Sequence, residues 1–283
     1  MEFYYINHAG DRVDLSEYPY RFQSGDILDW TYAYDNSEGV RNRVSNFRKA
    51  IKEFSVQVAV LCDFTLPREE RKDEWKAAVN YLMEVFEVDV LDEQEGRLYS
   101  DTGYYMNCMV IGSTKSDWKM GLPFMFNTLK VLAKTPVWFK DTMFHFDAVS
   151  GDNVQQDGKM YPYLYPYLYG GDLTNTGIIN PGFYDSDFLL TIYGPVLNPI
   201  VYIGGNPYLV YTNLLQGERL EVNSLQGTVI KIRNNGQRDD EFHYRQKQPS
   251  IFTPIAPGLN DIRWSGAFPF DLTLFERRSE AAW

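Results

Sequence analysis

"EFSVQVAVLCDFTLPREERKDEWKAAVNYLMEVF", residues 53–86, changes its period halfway along. Phe54, Val56, Val58, Val60 and Cys62 occupy alternate positions, the two-residue repeat of a strand with one dry face. Ser55, Gln57, Ala59 and Leu61 make a mixed opposite face. From Thr65 the repeat lengthens. Trp75, Val79, Leu82 and Phe86 recur at helical spacing, so an amphipathic helix is expected with this stripe against a core. Thr65 can cap it, Pro67 suits its first turn, and Glu69 and Glu70 sit near its positive N-terminal end.

The flanking sequence is strand-like. "GRLYSDTGYYMNCMVIG" (96–112) reads as two strands around a turn at Asp101–Gly103, "LPFMFNTLKVLAK" (122–134) as another, and "PVWFKDTMFHF" (136–146) as an alternating strand. Several strands with one long helix make an α+β first half. "SGDNVQQDGK" (150–159) is polar and reads as a linker. The repeat "YPYLYPYLYG" (161–170) follows it, with tyrosine on every odd position from Tyr161 to Tyr169. Pro162 and Pro166 lack the N–H a central strand needs, so a stiff aromatic connector between domains is expected. "GGDLTNTGIINPG" (170–182) reads as a second loop.

The last hundred residues consist of short β-runs: "DFLLTIY", "NPIVYIG", "PYLVYTN", "ERLEVN", "TVIKIR", "NDIRWS" and "FPFDLTLF". Turn signals separate them at Gly204–Asn206, Gln216–Gly217, Gln226–Gly227, Asn234–Gly236 and Pro257–Gly258. The Asn235–Gly236 step after "TVIKIR" is a hairpin signal. Regular short strands without a helix argue for an antiparallel β-sandwich.

The 283 residues suffice for one large domain or two ordinary ones, and 44% hydrophobic against 23% charged content is that of a globular chain. A net charge of −11 argues against tight phosphate binding. Within that acidic chain, "RNRVSNFRKAIK" (41–52) carries Arg41, Arg43, Arg48, Lys49 and Lys52, which suits residues spread over strand faces or a subunit contact better than a nucleic-acid patch. Cys62 and Cys108 are too few for a disulfide framework and read as buried free thiols. The N-terminus shows no basic region leading into an apolar run, so no signal peptide is expected. No apolar stretch approaches the ~20 residues needed to span a bilayer.

No residue pattern here points to catalysis, a cofactor or a metal. His8, His145 and His243 lack zinc-ligand spacing. Asp239, Asp240, Glu241 and His243 cluster in "DDEFHYR" (239–245), as expected of a solvated hairpin loop. No nucleophile elbow, Walker loop or dinucleotide fingerprint occurs. "IGSTKSDW" (111–118) lacks a phosphate loop's second glycine. Pairs such as Asp185 and Asp187 are inevitable among 38 acidic residues and do not make a glycosidase.

The order of parts resembles the distal tail protein family of long-tailed bacteriophages and prophages of Gram-positive hosts. The pattern N-P-G…S-x-F-x-x-x-I-Y-G-P…N-P (180–199), then G-E-R-L-x-V (217–222) and P-G-x-N-x-I (257–262), carries most of the likeness; "TPVWF" (135–139) adds to it. The resemblance implies a mainly β chain with one helix. Residues 1–150 would form an α+β ring domain, 151–175 a linker, and 176–283 a galectin-like β-sandwich. It also implies a structural role: a hexameric ring at the distal end of the tail tube, located at the virion tail tip. The ring would join the tail tube protein to a tail-associated spike or lysin-bearing protein. It would present its outer domains to receptor-binding proteins and let DNA pass without specific binding. Galectin-type sugar binding is not implied, because "HYRQ" (243–246) lacks the Asn of the galectin His-x-Asn-Pro-Arg set, and Trp264 in "IRWSG" reads as core. The alternatives are a carbohydrate-binding module, which would show an exposed aromatic platform, and the same ring in a phage-derived bacteriocin or injection particle.

Overall fold

The computed structural model describes residues 1–37, 42–116, 123–149 and 174–283. The chain forms two compact units, residues 1–140 with 277–283, and residues 141–276. The linker 150–159 and the whole tyrosine-proline repeat lie outside the described residues.

In the first unit the 53–86 segment folds as its periods require. Strand Lys52–Val60 buries Phe54, Val56, Val58 and Val60. Its partners are Tyr20–Gly25 on one side and Met125–Ala133 on the other, both antiparallel. The long strand Tyr105–Ser116 serves two sheets. Its first residues pair with Gly96–Ser100 and its later ones with Met125–Ala133, and the register shifts between Val110 and Gly112. Strand Phe3–Ile6 lies between Gly96–Ser100 and Arg12–Asp14.

Helix Arg68–Leu91 packs Ala78, Leu82, Val85 and Phe86 into the core shared with these strands, and Trp75 and Val79 pack against it. Its start differs from expectation. Pro67 is itself the residue before the helix, with extended ψ, and Thr65 bonds to Asp63 instead of capping. Its end also differs, five residues beyond Phe86. The helix stops where Glu93 adopts φ 54° and Gln94 N–H donates back to the Asp89 carbonyl, the left-handed cap geometry more often given to glycine.

The core of the second unit is shared by two antiparallel sheets. One contains Arg238–Asp240, Thr228–Ile232, Arg219–Asn223, Asp187–Tyr193 and Phe270–Arg278 in that order; the other orders Thr174–Asn180, Gly258–Trp264, Ile200–Ile203 and Asn206–Leu209. Phe188, Leu190 and Ile192 from the first, and Val201, Ile203 and Trp264 from the second, all point into that core. Asn235–Gly236 turns the chain from Thr228–Ile232 into Arg238–Asp240, with Gly236 at φ 82°, a conformation open to glycine at little cost. One expectation is corrected: part of 170–182 is a strand. Thr174–Asn180 pairs residue by residue with Gly258–Trp264. Among the described residues the strand pairs on one side only, as a sheet edge; Thr176 is exposed, and the buried Asn180 is satisfied by donating to the Ile255 and Ala256 carbonyls.

Candidate interaction surfaces

Among the described residues no group of His, Cys, Asp and Glu is arranged to hold a metal ion. His8 and His145 instead serve structural ion pairs. His8 lies at the C-terminal end of the long helix, its Nδ1 2.6 Å from Asp89 and its Nε2 3.1 Å from Asp92. His145 bonds through Nδ1 to Asp271 and through Nε2 to Asp147 at 3.1 Å. The Tyr193 hydroxyl donates to the other Asp271 oxygen at 2.6 Å. His243 sits in a single turn of 3-10 helix, Phe242–Tyr244, and stays apart from both clusters. Asp187 accepts from the Ser224 hydroxyl at 3.1 Å. Both cysteines are buried free thiols, and burial pushes the Cys108 thiol up, which makes it inert.

The His145 cluster has a pH consequence. Hydrogen bonding to Asp271, and then to Asp147, raises the imidazole above its ordinary 6.5. A raised folded value means the stabilising contribution is complete below pH 6.5 and is lost as pH climbs through the folded value. A His145→Gln variant is therefore expected to be less stable than the parent at low pH and to converge with it above that window, as urea denaturation at a series of pH values will show. A pH-independent difference would contradict the assignment.

The glycan-module reading requires an exposed aromatic platform. Trp264 is only 4% exposed, its indole N–H donates to the Phe268 carbonyl at 3.2 Å, and its ring packs against Phe146 and Phe270. It is core, as expected. "HYRQ" is engaged locally: Arg245 stacks on the Phe242 ring, and its backbone bridges to Val210. On the open face of the four-stranded sheet, Ile179 and Leu259 are exposed neighbours, and Asp261 pairs with Arg263.

One exposed apolar structure in the first unit is a hairpin that composition did not reveal. Among the described residues, strands Ala33–Ser37 and Arg43–Arg48 pair only with each other. Tyr34 and Phe47 are 55% and 63% exposed and touch, with ring centroids 6.0 Å apart. Asp35 anchors the base by accepting from Arg48 at 2.7 Å and from Asn46 at 3.0 Å. Trp30, Tyr32 and Ile51 extend the exposed apolar surface beyond the strands. From Arg43 onward, the basic run found in the sequence thus forms the second strand of the hairpin and the residues that follow it; Arg41 lies outside the described residues.

A second apolar surface of this unit lies between helix and sheet. Met83, Phe86, Glu87 and Val90 from the helix face Val110, Ile111 and Gly112 across an open groove of about 140 Å³. Val90 and Ile111, which line it, are exposed. Sequence reasoning could not have joined these residues, because the groove brings together segments twenty or more positions apart.

No family model matches the chain, and no curated protein matches it in sequence. Solved structures do match in fold. One is the Dit protein of phage SPP1, described as a paradigm of the hub adsorption apparatus in phages infecting Gram-positive bacteria. It is 11% identical, with a TM-score of 0.61 over 98% of this chain and 99% of that one. A chain of the phage P2 baseplate in its activated conformation with Ca is 12% identical, with a TM-score of 0.58 over 99% of both chains. The same baseplate with Sr gives the same score and identity over 99% of this chain and all of that one. Over nearly its whole length, this chain has the mainly β, single-helix fold of the Dit hub and baseplate proteins.

Proposed function

We propose that the chain is a structural component of a bacteriophage tail tip: a hexameric ring at the distal end of the tail tube, joining the tube to the baseplate. The observation that carries this reading is the full-length likeness to hub and baseplate proteins, which takes in both compact units. The exposed aromatic hairpin supports it, since a two-stranded ribbon with apolar side chains is marginal by itself and suits assembly. In this reading residues 1–150 close the ring, 151–175 connect, and 176–283 stand outward to receive receptor-binding proteins. The tail tube protein lies on one side and a spike or lysin-bearing protein on the other. The role is mechanical, not catalytic. The net −11 charge repels DNA passing through the ring.

Negative-stain images and light scattering of the purified chain test this. Closed six-membered rings are expected, alone or on addition of the tail tube protein. Monomers under both conditions would refute it.

A further inference from the structure

The Asn235–Gly236 step has a chemistry beyond turning the chain. It is the single Asn-Gly step in the sequence, and it lies in the exposed loop between Thr228–Ile232 and Arg238–Asp240. The Arg233 N–H closes that loop by donating to the Gln237 carbonyl at 2.9 Å, and the Gly236 N–H donates to the Arg233 carbonyl at 2.9 Å. Within the loop the Asn235 side chain folds over the backbone that follows it, its Oδ1 accepting the Gln237 N–H at 3.0 Å. Such an Asx turn holds the carboxamide carbon beside the intervening Gly236 nitrogen, and the accepted hydrogen bond polarises its carbonyl. The carbon is therefore both near the nitrogen and electrophilic. Gly236 has no side chain to shield that nitrogen, and a Cβ built there would meet no atom within 4 Å. The other asparagines lack this combination. Asn180, Asn198 and Asn206 precede proline, which has no N–H to become a nucleophile. Each of the rest precedes a residue whose side chain crowds its nitrogen.

We propose that Asn235 is a site of spontaneous deamidation through a cyclic imide, with water as the co-reactant. The Gly236 nitrogen leaves its bond to Arg233, gives its proton to a base in solution and attacks Asn235 Cγ. The new C–N bond closes a five-membered succinimide, and the side-chain nitrogen departs as ammonia. Water then opens the ring. Addition at Cγ restores the ordinary backbone with an aspartate side chain. Addition at the backbone carbonyl leaves the chain running through Cγ, as isoaspartate. Nothing is oxidised or reduced. Both products add a carboxylate to the loop closed by Arg233, which already pairs with Asp239 at 2.5 Å. The isoaspartyl form also lengthens the loop by one backbone atom and withdraws the Asn235 acceptor from the Gln237 N–H. In the tail-tip reading the chain is not replaced once assembled, so the product accumulates with particle age. The chemistry itself does not depend on that reading.

Peptide mass spectrometry of the full folded chain, held for weeks at mildly alkaline pH, tests the proposal. The tryptic peptide 234–238 is expected to gain the mass of an amide-to-acid exchange before any other asparagine peptide does, with isoaspartate confirmed by enzymatic methylation. The rate should rise with pH, because the attacking nitrogen must lose its proton. Asn235→Gln, whose longer side chain would have to close a larger ring, should lower the rate at least about tenfold and melt like the parent, since the position is exposed. Three results would overturn the proposal. One is an unchanged Asn235 while another asparagine converts. Another is conversion to aspartate without isoaspartate, the mark of direct hydrolysis. The third is conversion in urea but not in the folded protein, which would mean that the turn protects the step instead of presenting it.

Discussion

Asp89→Ala is expected to destabilise the first unit by about 3–5 kcal/mol, the range for breaking a buried charged pair from one side. Asp89 is fully buried. One of its carboxylate oxygens accepts the Tyr5 hydroxyl at 2.5 Å; the other lies 2.8 Å from the His8 backbone N–H and 2.6 Å from His8 Nδ1. The residue thus ties the last turn of the helix to the N-terminal strand. Removing it strands the Tyr5 hydroxyl at the centre of the core with only the Cys108 carbonyl, 3.1 Å away. The hydroxyl can still donate to that carbonyl, whereas the His8 backbone N–H and imidazole lose their shared acceptor, an unsatisfied donor costing about 1–3 kcal/mol, and the helix end loses its anchor as well. Asp89→Asn, which keeps an acceptor, should cost less.

The loss also has a pH signature. The hydrogen bond to Asp89 raises the His8 imidazole above 6.5, so the ionic contribution is complete below that pH and fades as pH rises through the folded value. The Asn penalty should therefore shrink with rising pH. Gly96→Ala offers an independent check. A Cβ at Gly96 would fall inside contact distance of both the Asp89 carboxylate and the Tyr5 hydroxyl. The glycine is there for space, not for its backbone angles. Urea denaturation, with hydrogen exchange locating the loss at residues 1–14 and 82–108, measures all three variants. Wild-type stability in Asp89→Ala would show that the network is not structural.

This network also shows what the sequence could convey. Periodicity made the 53–60 strand and the 75–86 stripe legible because each core-facing side chain there is apolar. It could not extend the helix to Leu91, because Asp89 occupies a core-facing position and an aspartate reads as surface. Its burial is meaningful only once Tyr5 and His8, over eighty positions away, are seen to satisfy it. The 174–180 strand was hidden for a related reason: its Thr, Asn and Gly content is that of a loop, and only the partner strand 258–264 makes it a strand. Nor does "FERRSEAAW" announce that Ala281 is buried in the first unit's core. Of the candidate interface, the basic run at 41–52 was visible with a subunit contact among its readings. The groove was not, because it exists only where the helix meets the 105–116 strand.

Phe270→Ala should destabilise the second unit by about 3–5 kcal/mol. Phe270 is fully buried where the two sheets face each other. Its ring stacks on Phe146 at 4.5 Å and meets Trp264 edge-on at 5.2 Å, and such pairs add about 0.5–1.5 kcal/mol each beyond the area they bury. Truncation would leave a cavity between three strands, because the backbone on both sides is held. Phe270 pairs with Ile192, and Trp264 with both Val201 and Thr174. The sheets therefore cannot collapse into the space, which is the condition for the upper part of the range. Phe270→Leu, which retains most of the volume, should cost clearly less, and the difference between the two measures the cavity. Denaturant titration gives the total loss. Hydrogen exchange should place it in 187–193 and 258–264, with helix 68–91 protected as in the parent. Equal penalties for Ala and Leu would mean that ring geometry, not volume, holds this core. Loss of protection in 68–91 would mean that the two units unfold as one.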